Sequence, residues 1–388
     1  GILTINIAGF AGPLIATTTP NLPHPGTFAD ETAFAAAFLL FEGKMRALFT
    51  LLFGASMLLF LERAEAAGKE AGALQLRRLG WLALFGYLHF ALIWWGDILF
   101  TYALCGFVAL MFRFVPTRPL VICALAIFTL YHAQGAVTGL PEVIAEEHVR
   151  LGDATPAEIA SHGGLMRDKL ARMERELALY RGSYPTQVAE RVTAERFFPL
   201  AMAVGSFCET LPLMLLGMAL YRSGLFSGRW PPGRLKALAA LGLALGGAAT
   251  AAALAWAWPR HFPPVAMNAL LASWMALPHL LMALAYAALL MLAAPRLLTT
   301  WVGVRLAAAG RMAFTNYIAT SLVMTALFYG WGLGLFARVG DAGQWPFVLL
   351  GWALILGWSK PWLARSAQGP LEWLWRSLTE WRFVAFRR

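Results

Sequence analysis

Apolar runs recur from one end of the chain to the other, each close to the roughly 17 to 25 residues that a helix needs to cross a hydrocarbon core. They fall at 1–16, 45–61, 79–95, 97–113, 119–138, 198–221, 235–257, 267–293, 312–336 and 346–364. The pattern predicts an all-α polytopic integral membrane protein with about ten transmembrane helices, organised as one membrane domain over 1–388. Lys and Arg gather in alternate short loops: Arg63, Lys69, Arg77 and Arg78; Arg113 and Arg118; Arg222, Arg229, Arg234 and Lys236; Arg296, Arg305 and Arg311; and the tail from Lys360. Basic residues mark cytoplasmic loops, so both termini are expected on the cytoplasmic side. The first loop of the other set carries Asp30 and Glu31 instead, and Trp94-Trp95 stands where an outer aromatic belt is expected.

One long polar stretch, 139–197, holds 10 acidic and 8 basic side chains. Long segments cross a membrane largely regardless of charge, so this one is predicted to be an extracytoplasmic helical insertion. Within it Thr155-Pro156-Ala157-Glu158 reads as a capping box with proline at the first helical position, opening a helix from Pro156 to about Tyr180. After the last run Pro370 opens a segment, 370–388, in which Leu371, Leu374, Trp375 and Leu378 share a face. It is expected to lie as an amphipathic helix on the cytoplasmic membrane surface.

Composition agrees. Of 388 residues 59% are hydrophobic and 13% charged, against roughly 25% charged in soluble domains, and mean hydropathy is +0.62. The net charge of +10 resides in loops and tail, which is a topology pattern and gives no ground for a nucleic-acid partner. Cys105, Cys123 and Cys208 lie in apolar runs, too few and too scattered for a disulfide framework or a metal cage. The chain opens on Gly1 inside an apolar run, so the natural start is expected upstream. Gly246 and Gly247 fall in an Ala/Gly/Leu-rich run suited to close helix packing.

Ionisable groups inside a bilayer are costly, so each is a functional candidate until a partner explains it. His89 and Asp97 flank the Trp94-Trp95-Gly96 turn. A histidine oriented by a carboxylate is a usual general base; a core histidine and a helix-capping aspartate fit the same positions. Glu42, Lys44 and Arg46 stand at the start of the second run, where they fit a substrate site or a helix-end pair between Glu42 and Arg46. His132, Glu209 and His279 are lone polar groups in apolar runs, suited to substrate contact or to interhelical hydrogen bonds, and Pro278 reads as a helix interruption. Arg311, Asn316 and Tyr317 could line an inner polar vestibule or pack a helix end. Lys44, Arg46, His89 and Asp97 are expected to share one outward-facing pocket. No Walker loop, G-x-S-x-G elbow, H-E-x-x-H pair or C-x-x-C is present, so ATP-driven transport, serine hydrolysis and zinc chemistry lack a signature.

Several segments together resemble the YeiB family of bacterial membrane proteins, a family of unknown function: Gly1-Ile2-Leu3 with Asn6-Ile7, Gly43-Lys44-Met45-Arg46 leading to Leu52-Phe53-Gly54, and Gly96-Asp97-Ile98-Leu99. Further matches are Gly182-Ser183-Tyr184 with Gln187 and Arg191, Leu216-Gly217-Met218-Ala219-Leu220, Gly310-Arg311-Met312-Ala313 with Asn316-Tyr317, and Gly369-Pro370-Leu371-Glu372-Trp373-Leu374-Trp375-Arg376. The family is distantly similar to membrane acyltransferases of the heparan-α-glucosaminide N-acetyltransferase type. That similarity implies an acyl-CoA donor, an acyl acceptor in the cell envelope or a small molecule, and residence in the bacterial cytoplasmic (inner) membrane among its lipids. The basic loops Arg222–Lys236 and Arg296–Arg311 are the expected partners of CoA phosphates. A transporter or a lipid- or small-molecule-binding protein without catalysis is the other class left open, and small-residue spans are compatible with a homodimer.

Overall fold

The computed structural model describes residues 1–387, among which no β-strand is present and a single bridge joins Ser366 to Arg387. In chain order the helices are α1 (Ile2–Ala11), α2 (Phe28–Leu40), α3 (Lys44–Ala66), α4 (Ala71–Leu92), α5 (Leu99–Met111) and α6 (Thr117–Leu151). They continue with α7 (Pro156–Tyr180), α8 (Tyr184–Val192), α9 (Phe198–Gly205), α10 (Phe207–Ser223), α11 (Pro232–Ala257) and α12 (Pro264–Ala269). The last five are α13 (Ala276–Leu297), α14 (Trp301–Arg311), α15 (Ala313–Phe328), α16 (Asp341–Arg365) and α17 (Pro370–Glu380).

Every apolar window contains a helix, and the chain is an all-α membrane protein. Five helical elements are long and apolar enough to cross a bilayer: α2 with α3, α6, α11 with the short turn to Arg260, α13 and α16. The pair α9 and α10, bent by 62°, makes up to a sixth. The windows at 1–16, 97–113 and 312–336 hold shorter apolar helices, and 79–95 holds the later part of α4, which begins at Ala71 and carries the basic Arg77-Arg78 pair before the window.

Three element boundaries differ from the sequence reading. The run 119–138 does not end where polarity rises: α6 continues through Pro141 to Leu151, 35 residues in all. The extension carries the buried Glu146, whose carboxylate accepts from the Val265 and Ala266 amides at 3.0 and 2.7 Å and so caps α12. Residues 28–40, expected as loop, form α2 behind a capping box of Thr27 and Asp30. Pro278 interrupts nothing, because it sits in the first turn of α13, where a missing N–H is tolerated; the irregularity precedes it, as a π-helical turn at Leu270–Trp274.

The 139–197 segment is helical as expected. Thr155 and Glu158 form the reciprocal capping box, and the Thr155 amide and hydroxyl with nearby His148 hold the Glu158 carboxyl down to about 2. The segment is fastened to the bundle by Leu14 N–H donating to Glu176 Oε2 at 2.8 Å and Gly330 N–H donating to the Tyr180 carbonyl at 2.8 Å. Its side of the bundle is called the cap face below; the opposite side, where Arg78, Arg113 and Arg222 lie, is the basic face. α17 packs its Leu371 and Trp375 against Leu82, Phe85 and Phe314.

The largest core surrounds the crossing of α3 and α10. A Cβ added at Gly54 would collide with the Met214 backbone, and one at Gly217 with the Leu51 backbone, so each helix offers a glycine to the other's main chain. A similar approach joins α11 to α13 through Gly242 and Gly246, whereas Gly247 faces open space. Gly54→Ala and Gly217→Ala are therefore expected to destabilise the protein by at least about 1–3 kcal/mol, the usual scale of overpacking. Gly247→Ala is expected to leave the melting temperature unchanged or higher. Thermal unfolding of the three purified variants in one detergent checks the contrast; equal melting points for all three would contradict this packing.

Candidate functional site

Two polar clusters take up nearly all the intramembrane candidates, the first of them buried and the second reaching the surface at Arg46. In the first, the turn that closes α4 folds Asp97 back onto His89, and His89 Nδ1 lies 2.9 Å from Asp97 Oδ1 with both side chains about 1% exposed. Asp97 Oδ2 also accepts the Phe100 amide at 2.8 Å, so the aspartate caps α5 and orients the imidazole at once. His89 Nε2 and the Tyr317 hydroxyl are buried without a hydrogen-bond partner, and the two rings lie 5.0 Å apart. A carboxylate on Nδ1 fixes the tautomer that leaves Nε2 free to accept a proton.

The second cluster forms where α3 begins. Helix α3 starts at Lys44, after Gly43 at φ 70°, so Glu42 lies before the helix and does not share a face with Arg46; the expected Glu42–Arg46 pair is replaced by Arg46 Nη2 to Glu209 Oε1 at 2.8 Å. Lys44 is fully buried and donates to the Phe38 carbonyl at 2.6 Å. His279 closes over Gly43, where any Cβ would strike its ring, and meets Phe38 edge-on. His132 Nδ1 sits 3.0 Å from the Ala272 carbonyl in the π-helical turn, a partner that irregular backbone makes available. No hydrogen bond, ion pair or ring contact joins this cluster to His89 and Asp97 among the described residues, so Lys44, Arg46, His89 and Asp97 do not form the single pocket expected of them.

A cavity of about 650 Å³ runs between the basic face and the first cluster. Its wall is largely apolar and includes Arg78, Arg311, Glu372, Tyr102, Asn316 and Tyr317. Tyr317 thus stands between the cavity and His89. Asn316 is already satisfied, donating to Ala309 and Ser359 and accepting from Trp358 at 2.9 Å, and acts as a packing hub. Arg311 lies exposed on the rim and donates to the Ala367 carbonyl at 2.9 Å. Arg222, expected to meet phosphates, is instead spent on the Arg113 and Val115 carbonyls. Sequence reasoning on single residues missed Arg78 and Glu372 as cavity groups, although Glu372 lies in one of the motifs quoted above.

It also left Tyr184 and Arg191 without a role. From α8 the Tyr184 hydroxyl donates to the Leu92 carbonyl at 2.8 Å, and the fully buried Arg191 donates to the Ala91 and Ile93 carbonyls at 3.1 and 3.5 Å. These are the otherwise orphaned carbonyls at the end of α4, directly before the turn that carries Asp97. Arg191→Met is expected to cost about 1–3 kcal/mol and Tyr184→Phe about 0.5–1.5 kcal/mol. Amide exchange should speed up first at residues 93–100; exchange rising instead uniformly, or not there at all, would contradict the clamp.

A family profile described as "Protein of unknown function (DUF418)" matches residues 220–382. The uncharacterized protein YxaH of Bacillus subtilis (strain 168) is 31% identical over 400 residues, covering 99% of this chain and 92% of that one. The uncharacterized protein YeiB of Escherichia coli (strain K12) is 28% identical, covering 98% and 92% respectively. An uncharacterized 39.9 kDa protein in the amylase 3' region of Bacillus acidopullulyticus is 27% identical, covering 98% and 90%. No solved structure matches. Similarity of this extent, running the length of both chains, makes the protein a member of the YeiB (DUF418) family.

Proposed function

We propose that the protein is an acyl-CoA-dependent membrane acyltransferase of the bacterial cytoplasmic membrane, with both termini and the basic face cytoplasmic and residues 139–197 outside. The observation that supports this reading is the buried His89–Asp97 pair, with Nε2 unpartnered, beside the wall of a large cavity that is lined by Arg78 and Arg311 at its other end. In this scheme the acyl chain and thioester of the donor occupy the cavity. His89 Nε2 takes the proton of an acceptor hydroxyl or amine as its oxygen or nitrogen attacks the thioester carbon. Asp97, on Nδ1, stabilises the imidazolium that results. The hydroxyl of Tyr317, whose ring centroid lies 5.0 Å from that of His89, is the donor for the oxyanion. The tetrahedral intermediate collapses with loss of the CoA thiolate, which His89 protonates. Arg46 and Lys44, committed to Glu209 and Phe38, have no part in this step.

A carrier or lipid-binding protein without chemistry is the second reading, supported by the predominantly apolar cavity wall. The two are separated by turnover of acyl-CoA with a panel of cell-envelope acceptors. His89→Gln is expected to lose roughly 10²- to 10⁴-fold in rate, and Tyr317→Phe less, with melting temperatures close to wild type. His279→Gln, in the other cluster, should retain activity if it folds. Wild-type rates in His89→Gln would remove the histidine from catalysis, and no turnover by the wild-type protein with any acceptor would favour the carrier. For orientation, Ser161→Cys in intact cells should react with an impermeant thiol reagent; protection would overturn the placement of 139–197.

A further inference from the structure

We infer that Arg78 is a phosphate-binding residue at the basic-face mouth of the large cavity, holding the anionic end of an amphiphile whose apolar part lies inside. The inference deepens the acyl-donor reading and rests on the cavity being the donor site. The Arg78 guanidinium lies over two aromatic rings, 4.5 Å from the centroid of Phe60 and 4.4 Å from that of Trp375. Its own carbonyl accepts the Trp375 indole N–H at 2.8 Å, so backbone and side chain are fixed against the same residue. Stacking of this kind engages the π faces and leaves the in-plane N–H fork for hydrogen bonding.

Yet the fork has no taker in the protein. Among the described residues Arg78 donates no hydrogen bond and makes no ion pair. The carboxylate that shares its cavity, Glu372, is committed elsewhere: it accepts the Phe314 and Thr315 amides at 2.8 and 3.0 Å and the Thr315 hydroxyl at 2.5 Å, which neutralises the N-terminus of α15. A guanidinium stacked on two rings and left without a carboxylate is costly at a membrane boundary unless an anion completes it. Arg311 adds a second positive charge to the same rim.

Spacing fits an amphiphile. Arg78 and His89 are eleven residues apart on α4, which is about 16 Å along the axis, and the wall between them carries Leu82, Phe53, Leu99 and Phe314. A phosphate at one end and a reactive or apolar group at the other therefore meet matching surroundings. Two sources share that chemistry: the phosphates of a CoA thioester and the head group of an anionic phospholipid.

The test uses the full chain in nanodiscs of phosphatidylcholine, and measures affinity for palmitoyl-CoA and, separately, for phosphatidylglycerol, in wild type, Arg78→Met and Arg78→Lys. Met retains packing on Phe60 and Trp375 without the charge, so unfolding is distinguished by the melting point of the ligand-free variant. Binding of palmitoyl-CoA should weaken about tenfold or more in Arg78→Met, partly recover in Arg78→Lys, and be competed by free CoA. Equal affinity of wild type and a folded Arg78→Met for every phosphate ligand bound would overturn the inference while leaving the acyl-donor reading in place. Selective binding of phosphatidylglycerol that depends on Arg78, with no binding of palmitoyl-CoA, would uphold the phosphate site and remove CoA as the donor. Binding of neither ligand by wild type would overturn both.

Discussion

The close crossing of α3 and α10 is the constraint on which the rest of the bundle depends. In lipid no hydrophobic drive pushes helices together, so association relies on close contact and on polar links between helices. Gly54 and Gly217 supply the first by bringing the two main chains into direct contact. The second follows from the geometry this imposes. Arg46, two turns before Gly54, reaches Glu209, two turns before Gly217, and the Thr50 hydroxyl reaches that of Tyr102 on α5 at 2.6 Å. Tyr102 in turn lines the large cavity. Packing at two glycines thereby sets the position of one ion pair and of one wall of the cavity.

The division of polar groups between satisfied and open is informative. Asn316, Glu146, Asp97 and Lys44 each meet partners in the protein, chiefly backbone groups freed at helix ends, as expected where water cannot serve. Of the buried polar atoms left open, His89 Nε2 and the Tyr317 hydroxyl lie at the cavity, toward the cap face, while others such as His132 Nε2 and His279 Nε2 lie elsewhere. The Arg78 fork, toward the basic face, is also without a partner in the protein. The two ends demand different chemistry, a proton acceptor at one and an anion site at the other, separated by an apolar wall.

Much of this was readable from residue order. Each apolar window became a helix because a run of that length has no soluble alternative, and His89 met Asp97 because Trp94-Trp95-Gly96 leaves the chain room only to double back. Where the reading failed, the signal was tertiary. Arg46 pairs across helices because α3 begins two residues later than Glu42, a boundary set by Gly43 at positive φ against His279. The extension of α6 to Leu151 answers a need of α12, whose Val265 amide lies 119 sequence positions beyond the Glu146 that caps it. Helices α2 and α14, of 13 and 11 residues, are each shorter than the run that a bilayer crossing needs, so apolar length alone does not mark them. Nothing in the local pattern around Arg78 marks it out from Arg77 beside it; Phe60 and Trp375, from distant segments, do.

The clasp from α8 onto α4 has a consequence for how the chain is made. Arg191 follows Ala91 by 100 positions, and Tyr184 follows Leu92 by 92. Ribosomal synthesis delivers the hairpin bearing His89 and Asp97 well before the residues that cap it, and α5 and α6 must be laid down in between. The carbonyls at the end of α4 therefore wait, unpaired, through the insertion of the intervening segments, and the hairpin acquires its final form only once α8 arrives on the cap face. Maturation of this part of the protein is thereby tied to delivery of a polar segment.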